Sequence, residues 1–147
     1  YVLYRAEQAL GDEAAANAEL KAWCLEKFGR EATFYLGMNS RKPPKDTELP
    51  AVIFIPDGAE YDEAGNAVFT VGMVWAVSCP TVTSDGTKTT YEGFRLSDEF
   101  GARLTESLQS VNAAFRISSG GYDLFDGSQV PTFPGERTLT MTEWGRE

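Results

Sequence analysis

Apolar and polar positions alternate along the chain with two different periods. Between residues 13 and 28, Leu20, Trp23, Cys24 and Phe28 recur at helical spacing while Glu19, Lys21, Glu26 and Lys27 take the other faces. Gly29 follows the last apolar residue and suits a C-terminal cap. The second helical stretch covers residues 97–115: Phe100, Leu104, Leu108, Val111 and Phe115 follow one another at steps of three or four. Ser97 is its expected N-cap, and Asp98 and Glu99 favour the positive end of the helix dipole. Residues 1–12 carry no such stripe and form either an extra helical turn or an N-terminal arm.

The β-like stretches have a period of two or none. Residues 32–38 include Thr33, Phe34, Tyr35 and Leu36, all suited to a strand. In residues 49–55 the unbroken run Val52-Ile53-Phe54-Ile55 predicts a strand covered on both faces, interrupted by Pro56-Asp57-Gly58. Residues 67–79 place Phe69, Val71, Met73, Trp75 and Val77 on one parity. The opposite parity is also apolar or small, so both faces are expected to be partly covered. A strand longer than ten residues is expected to run past the main sheet. Ser84-Asp85-Gly86-Thr87 fits a small hairpin or a mobile loop. Ser118-Ser119-Gly120-Gly121 is expected to break the chain as a flexible joint between the second helix and a short strand at 122–125. After a turn at Asp126-Gly127, Leu139 and Met141 alternate with threonines in a last strand over 137–144. The polar segment 39–48, with Pro43-Pro44, is an extended loop. The element order is thus α-β-β-β-α-β-β: an α+β fold with a mostly antiparallel sheet and two main helices, in one domain over residues 1–147.

Composition narrows what this scaffold can do. A chain of 147 residues can bury roughly 68–70% of its unfolded surface without staples. Its 42% apolar content and 18 aromatic residues exclude wholesale disorder. The net charge of −9 repels phosphate backbones. The densest basic group, Arg41, Lys42 and Lys45, is interrupted by two prolines, so specific nucleic-acid binding is not expected. Cys24 and Cys79 read as two buried thiols. No stretch approaches the roughly 18 apolar residues of a membrane span, and no signal peptide or membrane partner is expected. The chain opens on Tyr1 rather than Met, so its natural N-terminus is expected to lie upstream.

The catalytic inventory is thin. Without histidine there is no Ser-His-Asp or Cys-His pair, no imidazole ligand for zinc, and no group whose ordinary pKa lies near neutrality. Asp57, Glu60, Asp62 and Glu63 cluster around glycine turns, but their spacing lacks the alternate acids of a calcium loop and reads as a solvated acidic loop. No Walker or dinucleotide-binding glycine pattern occurs. Trp23 and Trp75 fall in phase with core residues, and Trp144 is a candidate interface residue. No catalytic residue, metal or cofactor is expected.

Two phrases carry a family resemblance. Arg41-Lys42-Pro43-Pro44-Lys45-Asp46-Thr47-Glu48-Leu49-Pro50-Ala51-Val52-Ile53 is a Pro-rich loop leading into a strand through an aliphatic-Pro step. Val71-Gly72-Met73-Val74-Trp75-Ala76-Val77 is a long strand carrying an aromatic residue. With an N-terminal helix before them and an amphipathic helix (97–115) and two closing strands (122–144) after them, the chain resembles the tail terminator, or tail completion, proteins of long-tailed bacteriophages and prophages. The resemblance implies a virion structural protein, not an enzyme, assembled in the bacterial cytoplasm. Its partners would be copies of itself in a ring, usually a hexamer, the tail tube protein and a neck or connector protein. DNA would slide through the ring, past acidic walls that do not retain it. It further implies inter-subunit contacts through the acidic hairpin 57–66 (Asp57, Glu60, Asp62, Glu63) and the loop 83–90 (Asp85, Lys88). Two other readings compete: a small-molecule- or peptide-binding module with a cleft between the second helix and the sheet, and a carboxylate-based hydrolase.

Overall fold

The computed structural model describes residues 2–37, 48–108, 115–124 and 131–143; for 2–3, 115–124 and 143 it describes the backbone alone. The expected turn at 126–127, Trp144 and nearly all of the Pro-Pro loop lie outside these residues.

The N-terminal region is two helices, α1 (Val2–Ala16) and α2 (Ala18–Phe28), where one helix over 13–28 was expected. Asn17 separates them. Its backbone is extended, and its Oδ1 accepts from the Leu20 N–H at 2.9 Å, so it caps α2 where an alanine could not. Residues 1–12 therefore belong to neither a loose arm nor a single extra turn: from Val2 they form the greater part of α1, which buries Ala6, Leu10 and Ala14 at steps of four. Gly29 ends α2 as expected, at φ 73°, with its N–H on the Leu25 carbonyl.

Strands β1 (Thr33–Leu36), β2 (Ala51–Tyr61), β3 (Ala67–Ser78), β6 (Phe115–Leu124) and β7 (Thr132–Glu143) form one sheet in the order β1-β2-β3-β7-β6. The β1–β2 pair is parallel and the other pairs are antiparallel. A separate hairpin, β4 (Val82–Asp85) and β5 (Lys88–Tyr91), precedes helix α3 (Glu92–Ser107). The fold is α+β with a mostly antiparallel sheet, as expected, but with three helices among the described residues.

Four local expectations are corrected. Pro56-Asp57-Gly58 does not interrupt the strand: β2 continues to Tyr61, and a bulge between Pro56 and Gly58 absorbs the extra residue. Strand β3 does not run past the sheet; it is the middle strand, paired with β2 over 67–76 and with β7 over 68–78. Ser118-Ser119-Gly120-Gly121 is no joint but lies inside β6, at a register shift between Ser119 and Tyr122. The third helix begins at Glu92 and ends at Ser107, so Ser97 is not its cap and Phe115 is already a strand residue, opposite Glu143. Tyr91 occupies the N-cap position without a side-chain bond.

The helices cover one face of the sheet. Val52 and Phe54 of β2, the odd-numbered apolar residues of β3, and Leu139 and Met141 of β7 pack with Leu20, Trp23, Phe100 and Leu104. Trp75 lies at the centre, 1% exposed. Its Nε1–H donates to the Ser97 carbonyl at 2.9 Å and lies 3.2 Å from the Ser97 hydroxyl oxygen. Gly135 stands opposite Trp75 on β7, and Gly101 leaves room for the indole from the helix side. Arg137 of β7 reaches up to Thr105 Oγ1, tying the last strand to α3. On the other face Ala51, Ile53, Ile55, Val74 and Ala76 are also buried, so β2 and β3 are covered on both faces as their sequences predict.

Candidate functional site

The acids singled out in the sequence fall on one end of the sheet. After the bulge, β2 residues 58–61 pair with 67–70 of β3, and all of residues 56–61 are exposed. Asp57 sits in the bulge and Glu60 on the strand. Asp62 closes the turn: its Oδ1 accepts from the Ala64 and Asn66 N–H groups at 3.0 and 2.8 Å. Glu63 is exposed in the same turn. Asp62 is thereby accounted for by turn geometry, and Asp57, Glu60 and Glu63 are exposed.

Asp85 and Lys88 stand opposite one another at the tip of the β4–β5 hairpin, beyond the far end of β3. All eight strand residues of this hairpin are exposed. The six residues thus fall in two groups, one on the end of β2 and its turn and one at the tip of the β4–β5 hairpin. It also adds apolar residues that the pattern did not mark: Tyr61 beside the acids, and Val82, Tyr91 and Phe94 at the hairpin root, all 45–68% exposed. Only exposure distinguishes them, and no sequence signal could have done so.

The described residues hold no group of three or more His, Cys, Asp or Glu side chains placed to bind a metal, and none of their helices is long and apolar enough to cross a membrane. A cavity of about 70 Å³ lies between α1, α2 and β1, lined by Leu20, Cys24, Ala32 and Phe34, with the Lys21–Glu31 pair beside it. That volume is far below the roughly 300 Å³ at which ligand sites begin. Cys24 and Cys79 are free thiols, the first buried and the second half-buried. Burial pushes the Cys24 thiol up to about 11, so it is not a thiolate at neutral pH. The chain matches no protein-family model and no curated protein.

One carboxylate departs upward from its ordinary range. Glu7 on α1 is 2% exposed, and its Oε1 accepts from the Gly37 N–H at 3.1 Å, holding α1 to the end of β1. Burial raises its pKa above 4.5, the Gly37 bond opposes the rise, and the charge of Asp57 adds to it. It lines neither the cavity of about 70 Å³ nor a second of about 20 Å³ beside Arg103. Its consequence is for stability. The folded state holds the proton more tightly than the unfolded state, so Glu7 makes stability fall as pH rises from 4.5 through the folded pKa. Glu7→Gln keeps the acceptor for Gly37 and removes the charge. We expect the variant to gain stability relative to the wild type between pH 4.5 and 7 in urea titrations; an unchanged difference across that range would show that the carboxylate is not desolvated.

Elsewhere on the surface, Glu99 is held below the usual carboxylate range. Burial pushes it up, but the hydrogen bond from Arg103 at 2.9 Å and the charges of Arg103 and Arg95 outweigh that. Arg103 also lies over the Trp23 ring at 5.3 Å from its centroid. This network braces α3 against α2, and exposed pairs of its kind are worth at most about 1 kcal/mol each.

Proposed function

We propose that the protein is a structural subunit of a phage virion, similar to the tail terminators, that closes into a ring at the end of the tail tube and joins it to the neck or connector. The observation that carries this reading is the pair of exposed β projections on a body packed on both sheet faces: the acidic half of β2 at one end and the β4–β5 hairpin at the other. Exposed segments of this kind can gain further burial from a neighbour, and surfaces placed at opposite ends of a subunit build heterologous contacts, which close into rings when the rotation permits. The net charge of −9 suits a lumen that DNA passes without being retained.

Native mass spectrometry and negative-stain microscopy test the proposal. The expected result is a closed species of six times the 16.1 kDa chain mass, formed alone at high concentration or on addition of tail tube protein. A strictly monomeric protein under both conditions overturns it.

A further inference from the structure

Helix α1 is tied to the domain less firmly than its neighbours. Its buried apolar residues are Ala6, Leu10 and Ala14. Each alanine buries a single methyl group, whereas α2 buries the whole side chains of Leu20 and Trp23. Tyr4, Arg5 and Glu13 also make contacts, but Tyr4 and Arg5 are exposed, where contacts compete with water. The cavity of about 70 Å³ lies at the joint with α2, lined by Ala14 and Ala15 as well as Leu20 and Phe34. The last turn of α1 therefore lacks partner atoms on that side. Helix α2 does not need α1 in order to begin. Asn17 caps it, with an extended backbone between the two helices. Trp23, stacked on Phe100 of α3, holds α2 in place whether or not α1 is docked.

Glu7 is out of keeping with this sparse interface. It is 2% exposed, and its Oε1 accepts from the Gly37 N–H at 3.1 Å. Among the described residues no cation offsets its charge. The charged group that acts on it is Asp57 of β2, itself an acid; β1, α2, α3 and β3, which also pack on α1, add none. Tyr4, Leu10 and Gly11, a turn away on α1, carry no charge. An ionised carboxylate is costly in such a place, and lifting the helix returns it to water. The proton is held more tightly with α1 docked than with α1 free. Docking is thus favoured below pH 4.5 and weakens as pH rises from there through the docked pKa.

We infer that α1 is a separate strap, hinged at Asn17 and latched by Glu7 on Gly37, which opens more often once the Glu7 carboxyl has given up its proton. Opening frees the end of β1 and uncovers Leu36, against which Gly11 packs. The strap is an opening below the level of global unfolding, since the sheet and the contact between α2 and α3 stay intact.

Native-state hydrogen exchange of the full chain, divided by intrinsic rates, tests this between pH 4.5 and about 8. Amides of α1 should be protected at least about tenfold less than those of β3 at every pH. Their protection should fall as pH rises, by up to about tenfold per unit, and level off above the docked pKa of Glu7. In Glu7→Gln it should stay level throughout. In Asp57→Asn, which removes one cause of the raised pKa, the levelling should come at a lower pH. Gln keeps the acceptor for Gly37 and Asp57 is exposed, so both variants should fold, and circular dichroism verifies it. Equal protection of α1 and β3 overturns the separate strap. A fall that persists in Glu7→Gln, or a levelling that Asp57→Asn leaves in place, overturns Glu7 as the latch.

Discussion

Replacing Gly101 with alanine is expected to cost about 2–3 kcal/mol of folding free energy, even though alanine is the better helix former by about 1 kcal/mol. An added Cβ would stand 2.3 Å from Trp75 Cζ2 and 2.8 Å from Cε2 and Cη2. The ring cannot swing aside at small cost. It is 1% exposed, its Nε1–H is held by Ser97, and β3 is anchored on both edges by its neighbours. The alternative is for α3 to rise off the sheet, which would also open its close approach to β7 at Gly93, where even an added Cβ would stand 2.1 Å from the Phe133 ring. Urea denaturation measures the loss. Combining Gly101→Ala with Trp75→Phe should restore part of it, giving a coupling above about 1 kcal/mol, because the smaller ring makes room for the methyl group. Additive losses would mean that helix and indole are not in the contact described.

The same glycine shows what the chain discloses and what it withholds. Strand β3 was legible because five large apolar residues share one parity and its other parity is small or apolar, a pattern that holds whatever packs on it. The face of α3 was legible from Phe100 to Leu108 for the same reason. Its ends were not. Ser97-Asp98-Glu99 has the composition of a helix start, but Ser97 lies inside the helix, where its carbonyl accepts from the indole of Trp75, 22 residues earlier. Apolar spacing then ran on to Phe115 across a boundary that the strand pairing of β6 decides. Helix α1 was overlooked because it buries two alanines among three core positions, which leave a faint stripe. Asn17, amid alanines, reads as a helical residue until its side chain is seen on the Leu20 N–H.

The surface was legible only in part, for a related reason. Acids at 57–63 and the Asp85–Lys88 turn are visible as charge, but charge does not say where in space they fall. Proline and glycine at 56–58 signalled the end of a strand, and the bulge used them instead to carry β2 six residues past the region that β1 pairs with or the core buries. That extension carries the exposed residues 56–61. It was illegible because a bulge and a strand end share the same local composition, and only the pairing with β3 separates them.

Phe100→Ala should have the largest effect of any single truncation on the helical side, about 3–5 kcal/mol. Phe100 is fully buried, stacks on Trp23 at 5.7 Å between centroids with planes 28° apart, and lies 6.4 Å from Phe28. Trp23 meets Phe28 edge-on at 5.5 Å. The three rings join α2 to α3, so removing the central one opens a cavity and cuts the main apolar tie between these helices. Against a total stability of about 5–15 kcal/mol, the loss brings the domain close to its midpoint at room temperature at the lower end of that range. Phe100→Leu keeps most of the volume and should cost less than about 1.5 kcal/mol beyond the aromatic pair itself, which is worth about 0.5–1.5 kcal/mol. Hydrogen exchange should localise the damage: amides of α2 lose protection at free energies well below global unfolding, while those of β3 keep theirs, because the sheet is paired independently of the rings. Equal loss of protection in α2 and β3 would show that the helical layer and the sheet unfold as one unit. In that case the hairpin and the β2 edge, which lie outside the aromatic cluster, would lose their geometry together with it.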